Sequence, residues 1–199
     1  GATIPVKLEG KGQSIAFTGP VQFNWGYSLN RVYLLDSQTI TSHFSSEAGR
    51  EQGTMGKDYR VKYSLIAFHG VISGYNAKNT GLKPEDIDLL DKAIVKAIPL
   101  NATRSKIGQE PRLYMRVEYN SDGFILGDFR KWVQLNVRNG KKDDEVFSAK
   151  DVELDISPLL RKLQENQNAI ARVTYWQDGT LQTIGTLQEL PGATPLVLN

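Results

Sequence analysis

Two stretches of this sequence combine cationic, amide and apolar side chains, and neither stretch shows helical or strand periodicity. A protein that binds single-stranded RNA without reading its sequence needs donors for the phosphates and apolar side chains that stack on or separate the bases. The first stretch contains His43, Phe44, Arg50, Gln52, Thr54, Met55, Lys57 and Arg60. The second contains Asn101, Thr103, Arg104, Ser105, Lys106 and Gln109. The pattern indicates an RNA-binding surface, although a polar surface hairpin with ordinary charges explains it equally well.

The residue types that catalysis or metal binding requires form no recognisable constellation. The spacing of Gly49, Gly53 and Gly56 fits neither a phosphate-binding P-loop nor a dinucleotide-binding fingerprint. His69 lies in an apolar stretch, which favours a core or sheet-face histidine over a catalytic base. The sequence contains no cysteine, so disulfides and thiolate metal sites are excluded. We therefore expect no catalytic residue, no metal and no cofactor.

Alternating residues predict a half-buried strand ahead of the first stretch. Odd positions from 21 to 29 are apolar and the residues between them are mostly polar, which is the period of a strand with one covered face. The phase slips by one residue at positions 30–31, which predicts a β-bulge. The candidate RNA contacts of this strand and its bulge are Gln22, Asn24, Ser28 and Arg31.

The segment from Asp36 to Tyr59 is long and mostly polar. Loops longer than about 12 to 15 residues inside compact domains are usually functional or disordered. The segment from Tyr63 to Ile72 that follows is almost continuously apolar, which predicts a central strand covered on both faces.

A helix and another strand complete this part of the pattern. Apolar residues at helical spacing run from Ile87 to Ala97, with Pro84 in the first turn and Pro99 beyond the end. Alternation from Leu113 to Tyr119 predicts the strand. The order strand, insertion, strand, helix, strand is the back half of a βαββαβ ferredoxin-like fold, so the sequence predicts an α+β protein.

The remaining residues predict further strands and a short helix. Strands are expected at 132–137 and at 171–176, the second turning at 178–179 into another strand at 181–187. Ser157 is expected to cap a short helix that has Pro158 at its first position.

The overall composition favours one soluble, intracellular domain. A chain of 199 residues with 40% apolar content can bury one good core. No apolar run is long enough to span a bilayer, which takes about 18 residues or more. The net charge of +2 is small, so binding of nucleic acid must depend on locally placed cations.

Four collinear blocks between Ala2 and Tyr119 carry a family resemblance. They are FTGPVQFNWGYSL at 17–29, ITS at 40–42 continuing to EQGTMGKDYRV at 51–61, YSLIAFHG at 63–70, and TRSKIGQEPRL at 103–113. Together they resemble the guide-RNA-binding backbone subunit of type I CRISPR Cascade complexes, closest to subtype I-B. The residues beyond Asp128 resemble this family only loosely.

The resemblance implies a single palm domain over 1–199 that is similar to an RNA-recognition motif. Residues 37–62 would form a thumb hairpin, and residues 128–199 would add strands and a short helix. Members of the family polymerise along the guide RNA, so the implied partners are the crRNA guide, target DNA through the guide, further copies of the chain and other Cascade subunits. Members of the family also have a front section, which precedes a short motif that matches Gly1-Ala2 of this sequence. This section is absent from the sequence, so it lies outside the sequence or comes from another chain.

The alternative function is an RNA endonuclease, because related ferredoxin-like CRISPR proteins process guides or cut target RNA. Asp58 is the acid to suspect, since it lies close to Lys57 and Arg60. The sequence shows no separate general base and acid beside it. A third alternative is a structural protein that contacts other proteins only.

Overall fold

The computed structural model describes residues 2–8, 11–36, 38–41 and 55–198. Within these ranges the protein is a mixed α+β structure. Its helices are α1 (Gly74–Thr80), α2 (Pro84–Leu100) and α3 (Ser157–Glu165). Its strands are β1 (Ala2–Leu8), β2 (Lys11–Phe17), β3 (Val21–Phe23), β4 (Tyr27–Ser28), β5 (Gln38–Thr41), β6 (Met55–Asp58), β7 (Ile66–Ala67), β8 (Gly70–Ile72), β9 (Leu113–Tyr119), β10 (Gln134–Val137), β11 (Val152–Asp155), β12 (Ile170–Gln177), β13 (Thr183–Ile184) and β14 (Ala193–Pro195).

These strands form two three-stranded sheets and several two-stranded ribbons. One sheet has the order β14-β12-β9, in which β12 is antiparallel to β9 and parallel to β14. The other has the order β10-β11-β13. The ribbons are β1-β2, β3-β8, β4-β7 and β5-β6, all antiparallel. The predicted α+β class is confirmed.

The hydrophobic core lies in the last third of the chain, around α3 and the two three-stranded sheets. Its fully buried members are Leu154, Ile156, Leu159, Leu160, Leu163, Val173, Tyr175, Leu181, Leu187 and Leu190. The apolar residues of α3 recur every three or four positions, so they lie on one helix face and pack together. The segment that the sequence pattern presented as an addition to the palm therefore contains the core.

The helix predicted at 87–97 is confirmed as α2, which begins at Pro84. Its first turn is capped by Asp86, whose carboxylate accepts a hydrogen bond of 2.8 Å from the Lys83 backbone N–H. The helix continues to Leu100, so Pro99 lies inside the last turn and not beyond it. No helix in the described ranges is both long and apolar enough to cross a membrane.

The predicted central strand at 63–72 is wrong in two respects. The segment forms two short strands, β7 and β8, and three of its apolar side chains are exposed: Ile66, Phe68 and Val71. Both strands pair only with β4 and β3 in the described part of the chain, so they form a ribbon. The strand predicted at 21–29 is likewise interrupted, and Trp25 is 89% exposed. A run of apolar residues shows that a segment needs cover but not whether the described chain supplies it.

Two predictions for the last third of the chain are also corrected. The strand predicted at 181–187 is limited to β13 at Thr183–Ile184, which pairs in parallel with β11. Ser157 is the first residue of α3 and not its cap. The carboxylate of Asp155 accepts a hydrogen bond of 2.9 Å from the Ser157 backbone N–H, which satisfies one of the free donors at the helix start. The predicted strands β9, β10 and β12 are confirmed.

Candidate nucleic-acid interface

Residues 21–36, 38–41 and 55–72 form one long antiparallel structure, which we call the arm. Its pairs include Phe23 with Gly70, Tyr27 with Ala67, Leu34 with Val61, and Gln38 with Asp58. We call the side that runs from Phe23 to Gln38 the outgoing strand and the side that runs from Asp58 to Gly70 the returning strand. Successive pairs are four, seven and four residues apart on the outgoing strand, but three, six and three residues apart on the returning strand. The outgoing strand thus carries one extra residue in each interval. Such bulges bend a ribbon and increase its twist.

The side chain of Asn30 fills the second of these bulges. Its Oδ1 accepts a hydrogen bond of 2.8 Å from the Leu65 backbone N–H, and its Nδ2 donates to the Tyr63 carbonyl at 3.1 Å. The amide group therefore replaces a peptide unit in the ladder between the two strands. This confirms the bulge predicted at 30–31. The hydroxyl of Ser28 donates to the Asn30 carbonyl at 2.7 Å, so this proposed RNA contact uses its proton inside the arm.

The turn at 24–26 occupies the first bulge and is tied to the rest of the protein. The Asn24 backbone N–H donates to the His69 carbonyl at 2.8 Å, and the Trp25 N–H donates to Asn24 Oδ1 at 2.8 Å. The Trp25 carbonyl accepts a hydrogen bond of 2.5 Å from Arg130, whose guanidinium lies 4.5 Å from the centre of the Tyr27 ring. The indole of Trp25 remains exposed although its backbone is held on both sides.

Arg130 is itself held by Asp128. Its Nε and Nη2 donate to the two carboxylate oxygens at 2.9 and 2.6 Å. The hydrogen bonds from Arg130 lower the pKa of the Asp128 carboxyl to about 2. His69 Nδ1 lies 3.9 Å from the same carboxylate, and its ring packs on Phe129 with the centroids 5.6 Å apart. His69 thus lies between the arm and the body of the protein, as its apolar surroundings predicted.

Several predicted RNA contacts lie on the arm and are exposed. These are Gln22, Asn24, Arg31, Lys57 and Arg60. Gln22 donates to the Gly19 carbonyl at 2.9 Å, and the Arg31 guanidinium lies 5.2 Å from the centre of the Tyr33 ring. The backbone of Met55 and of Asp58 lies in β6. His43, Phe44, Arg50, Gln52 and Thr54 lie outside the described residues.

The other predicted contacts lie in the loop between α2 and β9. Residues 101–110 are all exposed, among them Arg104, Ser105, Lys106 and Gln109. The loop forms consecutive turns, in which the Lys106 N–H donates to the Thr103 carbonyl and the Gln109 N–H donates to the Lys106 carbonyl. At its far end Arg112 forms ion pairs with Glu110 and Asp178. The cations of this loop are therefore presented on an anchored segment.

A buried ion pair holds together the two elements that flank this loop. Asp91 on α2 is 1% exposed and receives hydrogen bonds from Arg116 at 2.8 and 2.9 Å and from the Tyr114 hydroxyl at 2.6 Å. Burial and the contact with Asp91 raise the pKa of the Tyr114 hydroxyl. The sequence shows only an acid near the middle of a helix, and its burial follows from the packing of α2 on β9.

Sequence reasoning also missed Asp128, Arg130 and the exposed indole of Trp25. The pair Asp128 and Arg130 appears in the sequence as two nearby opposite charges, which are common on any surface. Their role depends on the arm, which is distant in the chain. Among the described residues, no group of three or more His, Cys, Asp or Glu side chains could hold a metal ion.

Two of the comparisons with known proteins point to the same family. The family model described as CRISPR-associated protein Cas7 matches residues 1–157. The chain is 33% identical over 169 residues to the CRISPR-associated protein Cas7 of Haloferax volcanii, covering 83% of this chain and 49% of that protein. A fumarate nitrate reduction regulatory protein of Klebsiella oxytoca is 27% identical over 126 residues, covering 62% of this chain and 46% of that protein.

A solved CRISPR RNA-guided surveillance complex contains a chain of similar shape, with a TM-score of 0.43 and 14% sequence identity. That similarity covers 86% of this chain and 67% of the other. The chain spans about half the length of the curated relatives that it matches. Because the family model covers 157 of the 199 residues and the Haloferax relative shares a third of the aligned positions, the chain belongs to the Cas7 family of CRISPR-associated proteins.

Proposed function

We propose that this chain is a non-catalytic, crRNA-binding backbone subunit of a CRISPR Cascade effector complex. The observation that carries the proposal is the match of the Cas7 family model to residues 1–157. In this role the chain polymerises along the guide RNA and presents it for pairing with target DNA. Its partners are the guide, further copies of the chain and other Cascade subunits, and its place of action is the cytoplasm.

The distribution of charge supports binding to the RNA backbone. Arg31, Lys57 and Arg60 are exposed on the arm, and Arg104 and Lys106 are exposed on the loop between α2 and β9. Contacts between such cations and phosphates position an RNA strand without reading its bases. Gln22, Asn24 and Gln109 add amide groups on the same two segments. The site therefore suits a protein that accepts guides of any sequence.

The same proposal assigns a palm and a thumb hairpin to particular elements of this chain. We assign the antiparallel pair β9-β12 and helix α2 to a palm similar to an RNA-recognition motif, because Asp91 of α2 and Arg116 of β9 hold these elements together. Residues 37–62, which include the described strands β5 and β6, would be the thumb hairpin, with Met55, Phe44 and His43 as its candidate contacts to bases or to a neighbouring subunit. The whole chain would then act as one domain.

The test is to purify the protein from cells that express a CRISPR array and to analyse what accompanies it. We expect an absorbance ratio typical of a ribonucleoprotein and, on a denaturing gel, RNA of uniform guide length. Competition with two unrelated RNAs of equal length should then show a preference below about tenfold, or about 1.4 kcal/mol. RNA-free protein that binds neither competitor would reject the proposal.

The non-catalytic assignment has its own test, since a related function as an endonuclease would use Asp58. We expect guide and target RNA to stay intact during incubation with the protein, with or without divalent metal. Site-specific cleavage that disappears in Asp58→Ala would establish the endonuclease instead, with this aspartate as its acid or metal ligand.

A further inference from the structure

We propose that Arg130 is a positioning residue, which with Asp128 clamps the turn at 24–26 to the body of the protein and so presents Gln22 and Asn24 to RNA. This inference rests on the proposed RNA-binding function. Arg130 acts through the turn and does not itself contact RNA. In this respect Arg130 differs from the exposed cations of the arm, which we expect to contact phosphates directly.

All of the polar contacts of the Arg130 guanidinium that the structure shows are made within the protein. Its side chain is 7% exposed. Its Nε and Nη2 donate to Asp128, its Nη1 donates to the Trp25 carbonyl, and one face covers the Tyr27 ring. A phosphate would have to displace at least one of these short contacts and enter a nearly closed site. An arginine in this state is poorly suited to direct phosphate contact.

Arg130 also joins two parts of the molecule that are distant in the chain. It lies between Phe129 and Trp132, both of which pack against the hydrophobic core. Its bond to the Trp25 carbonyl reaches a residue 105 positions earlier in the chain. A two-stranded ribbon is marginally stable by itself in water. The clamp therefore supplies the rigidity that the ribbon lacks at this turn.

Local contacts also restrain the turn at 24–26. The side chain of Asn24 caps the Trp25 N–H, and the Asn24 N–H is bound to the His69 carbonyl. Gly26 lies directly under the Phe68 ring, since a Cβ atom at this position would be 2.4 Å from the ring. The Asn24 Oδ1 is thus occupied, and its amide nitrogen is the group that would donate to RNA. Its direction depends on the clamp.

The test compares two variants of the full chain by their affinity for a labelled, unstructured oligouridylate at several salt concentrations. Arg130→Met breaks the clamp directly. Asp128→Asn combined with Arg130→Met breaks it without leaving a carboxylate unpaired, which protects the fold. We expect each variant to bind RNA about tenfold more weakly, because binding must then order the turn. The entropy lost when the backbone of one residue is ordered lowers the affinity by about this factor. The slope of log affinity against log salt should not change, since no phosphate contact is lost.

A spectroscopic signal separates local loosening from general instability. In protein that carries 5-fluorotryptophan, the resonance of Trp25, identified with Trp25→Phe, should sharpen and shift in both variants. The resonance of Trp176, which lies on β12, should stay in place in the double variant. Val152→Ala is the matched control, because Val152 is fully buried in β11 and its truncation destabilises the core without touching the clamp. It should leave RNA affinity and the Trp25 resonance unchanged.

Three outcomes would overturn the proposal. A salt slope reduced by about 0.7 would show that Arg130 contacts a phosphate itself. Unchanged affinity in both variants, or an unchanged Trp25 resonance, would show that the clamp does not position the turn. An equal loss of affinity in Val152→Ala would assign the effect to stability. If the wild-type chain binds no RNA, the proposed function fails instead, and the resonances still report whether the clamp orders the turn.

Discussion

Two nearly buried arginines of the described chain differ in exposure from two arginines on the arm. Arg116 and Arg130 have nearly buried side chains and are held by Asp91 and Asp128. Buried ion pairs of this kind fix geometry more than they add stability. Arg31 and Arg60 are exposed on the arm. Under the proposed function, the exposed arginines are the ones that the phosphates of a guide RNA can reach.

The exposed cations lead to a prediction at the scale of single residues. Each phosphate contact contributes roughly 0.7 to the salt slope of single-strand binding. Lys57→Ala combined with Arg60→Ala should therefore flatten the slope by about 1.4 per subunit, measured as RNA affinity of the assembled complex at several salt concentrations. Arg161→Ala with Lys162→Ala removes the same charge from α3 and is the control. An unchanged slope in the Lys57 and Arg60 variant would move the phosphate contacts to Arg31 and to the loop at 101–110.

Met55→Ala should behave differently in the same assay. A side chain that stacks on or separates bases is worth about 1 to 3 kcal/mol per base and makes no ionic contact. We therefore expect weaker binding with little change in the salt slope. A flattened slope would mean that the variant disturbs the neighbouring cations, and unchanged affinity would assign Met55 to packing against a neighbouring subunit.

At the scale of elements, one polar side chain that is partly or fully buried holds the arm, and another holds helix α2. Asn30 bridges the two strands of the arm where their register changes. Asp91 joins α2 to β9 through its hydrogen bonds with Arg116 and Tyr114. Removing either side chain takes hydrogen bonds away from partly or fully buried partners, so the effects should be larger than those of surface substitutions.

Asn30→Ala should destabilise the arm by about 1 to 3 kcal/mol, because the Leu65 N–H and the Tyr63 carbonyl lose their partner. Hydrogen exchange at the Leu65 amide is the measurement, and its protection should fall. Asn30→Asp keeps the acceptor for Leu65 but loses the donor to Tyr63, so its effect should be intermediate. Gln22→Ala, at an exposed site on the same arm, should change protection at Leu65 little. Full protection in Asn30→Ala would contradict the proposed replacement of a peptide unit.

Asp91→Ala should lower the free energy of unfolding by up to about 3 to 5 kcal/mol, since the largely buried guanidinium of Arg116 then keeps only its 3.1 Å contact with the exposed carboxylate of Glu118. Asp91→Leu combined with Arg116→Met removes both charges and should recover most of this loss. Urea unfolding measures both variants. A single variant that loses less than about 1 kcal/mol would show that water reaches Arg116 once the carboxylate is gone.

At the scale of the whole molecule, the protein consists of a core around α3 and an arm whose apolar residues are largely exposed. Phe23, Trp25 and Phe68 all lie on the arm and are more than half exposed. Two carboxylates hold segments near the core: Asp128 through Arg130, and Asp151 through Lys141 and the backbone N–H groups of residues 147 and 148. Global stability should therefore depend on the charge of these two groups.

Hydrogen bonds from Arg130 and from Lys141 lower the pKa values of Asp128 and Asp151 to about 2. An aspartate in an unfolded chain has a pKa of about 3.9, so the unfolded state binds more protons in acid. The stabilisation is complete above about pH 5 and is lost as the pH falls from about 4 to 2. Urea midpoints measured from pH 7 to pH 3 should fall, and Asp151→Asn should make the curve flatter. Asp143→Asn, at an exposed turn, is the control, and an equal flattening there would contradict the assignment.

The sequence by itself determined the family, helix α2, strands β9 and β12, the bulge at Asn30 and the exposed position of the cations at 101–110. These features depend on spacing, caps and turns within a few residues, where side-chain type and local geometry are closely linked. The location of the core, the exposure of the arm and the partners of Asp91 and Arg130 came from the tertiary structure alone. Arg130 and Trp25 are 105 residues apart, and whether such residues meet depends on how whole elements pack. No local pattern reports that packing, because the same run of apolar residues forms a buried strand or an exposed ribbon according to what lies against it.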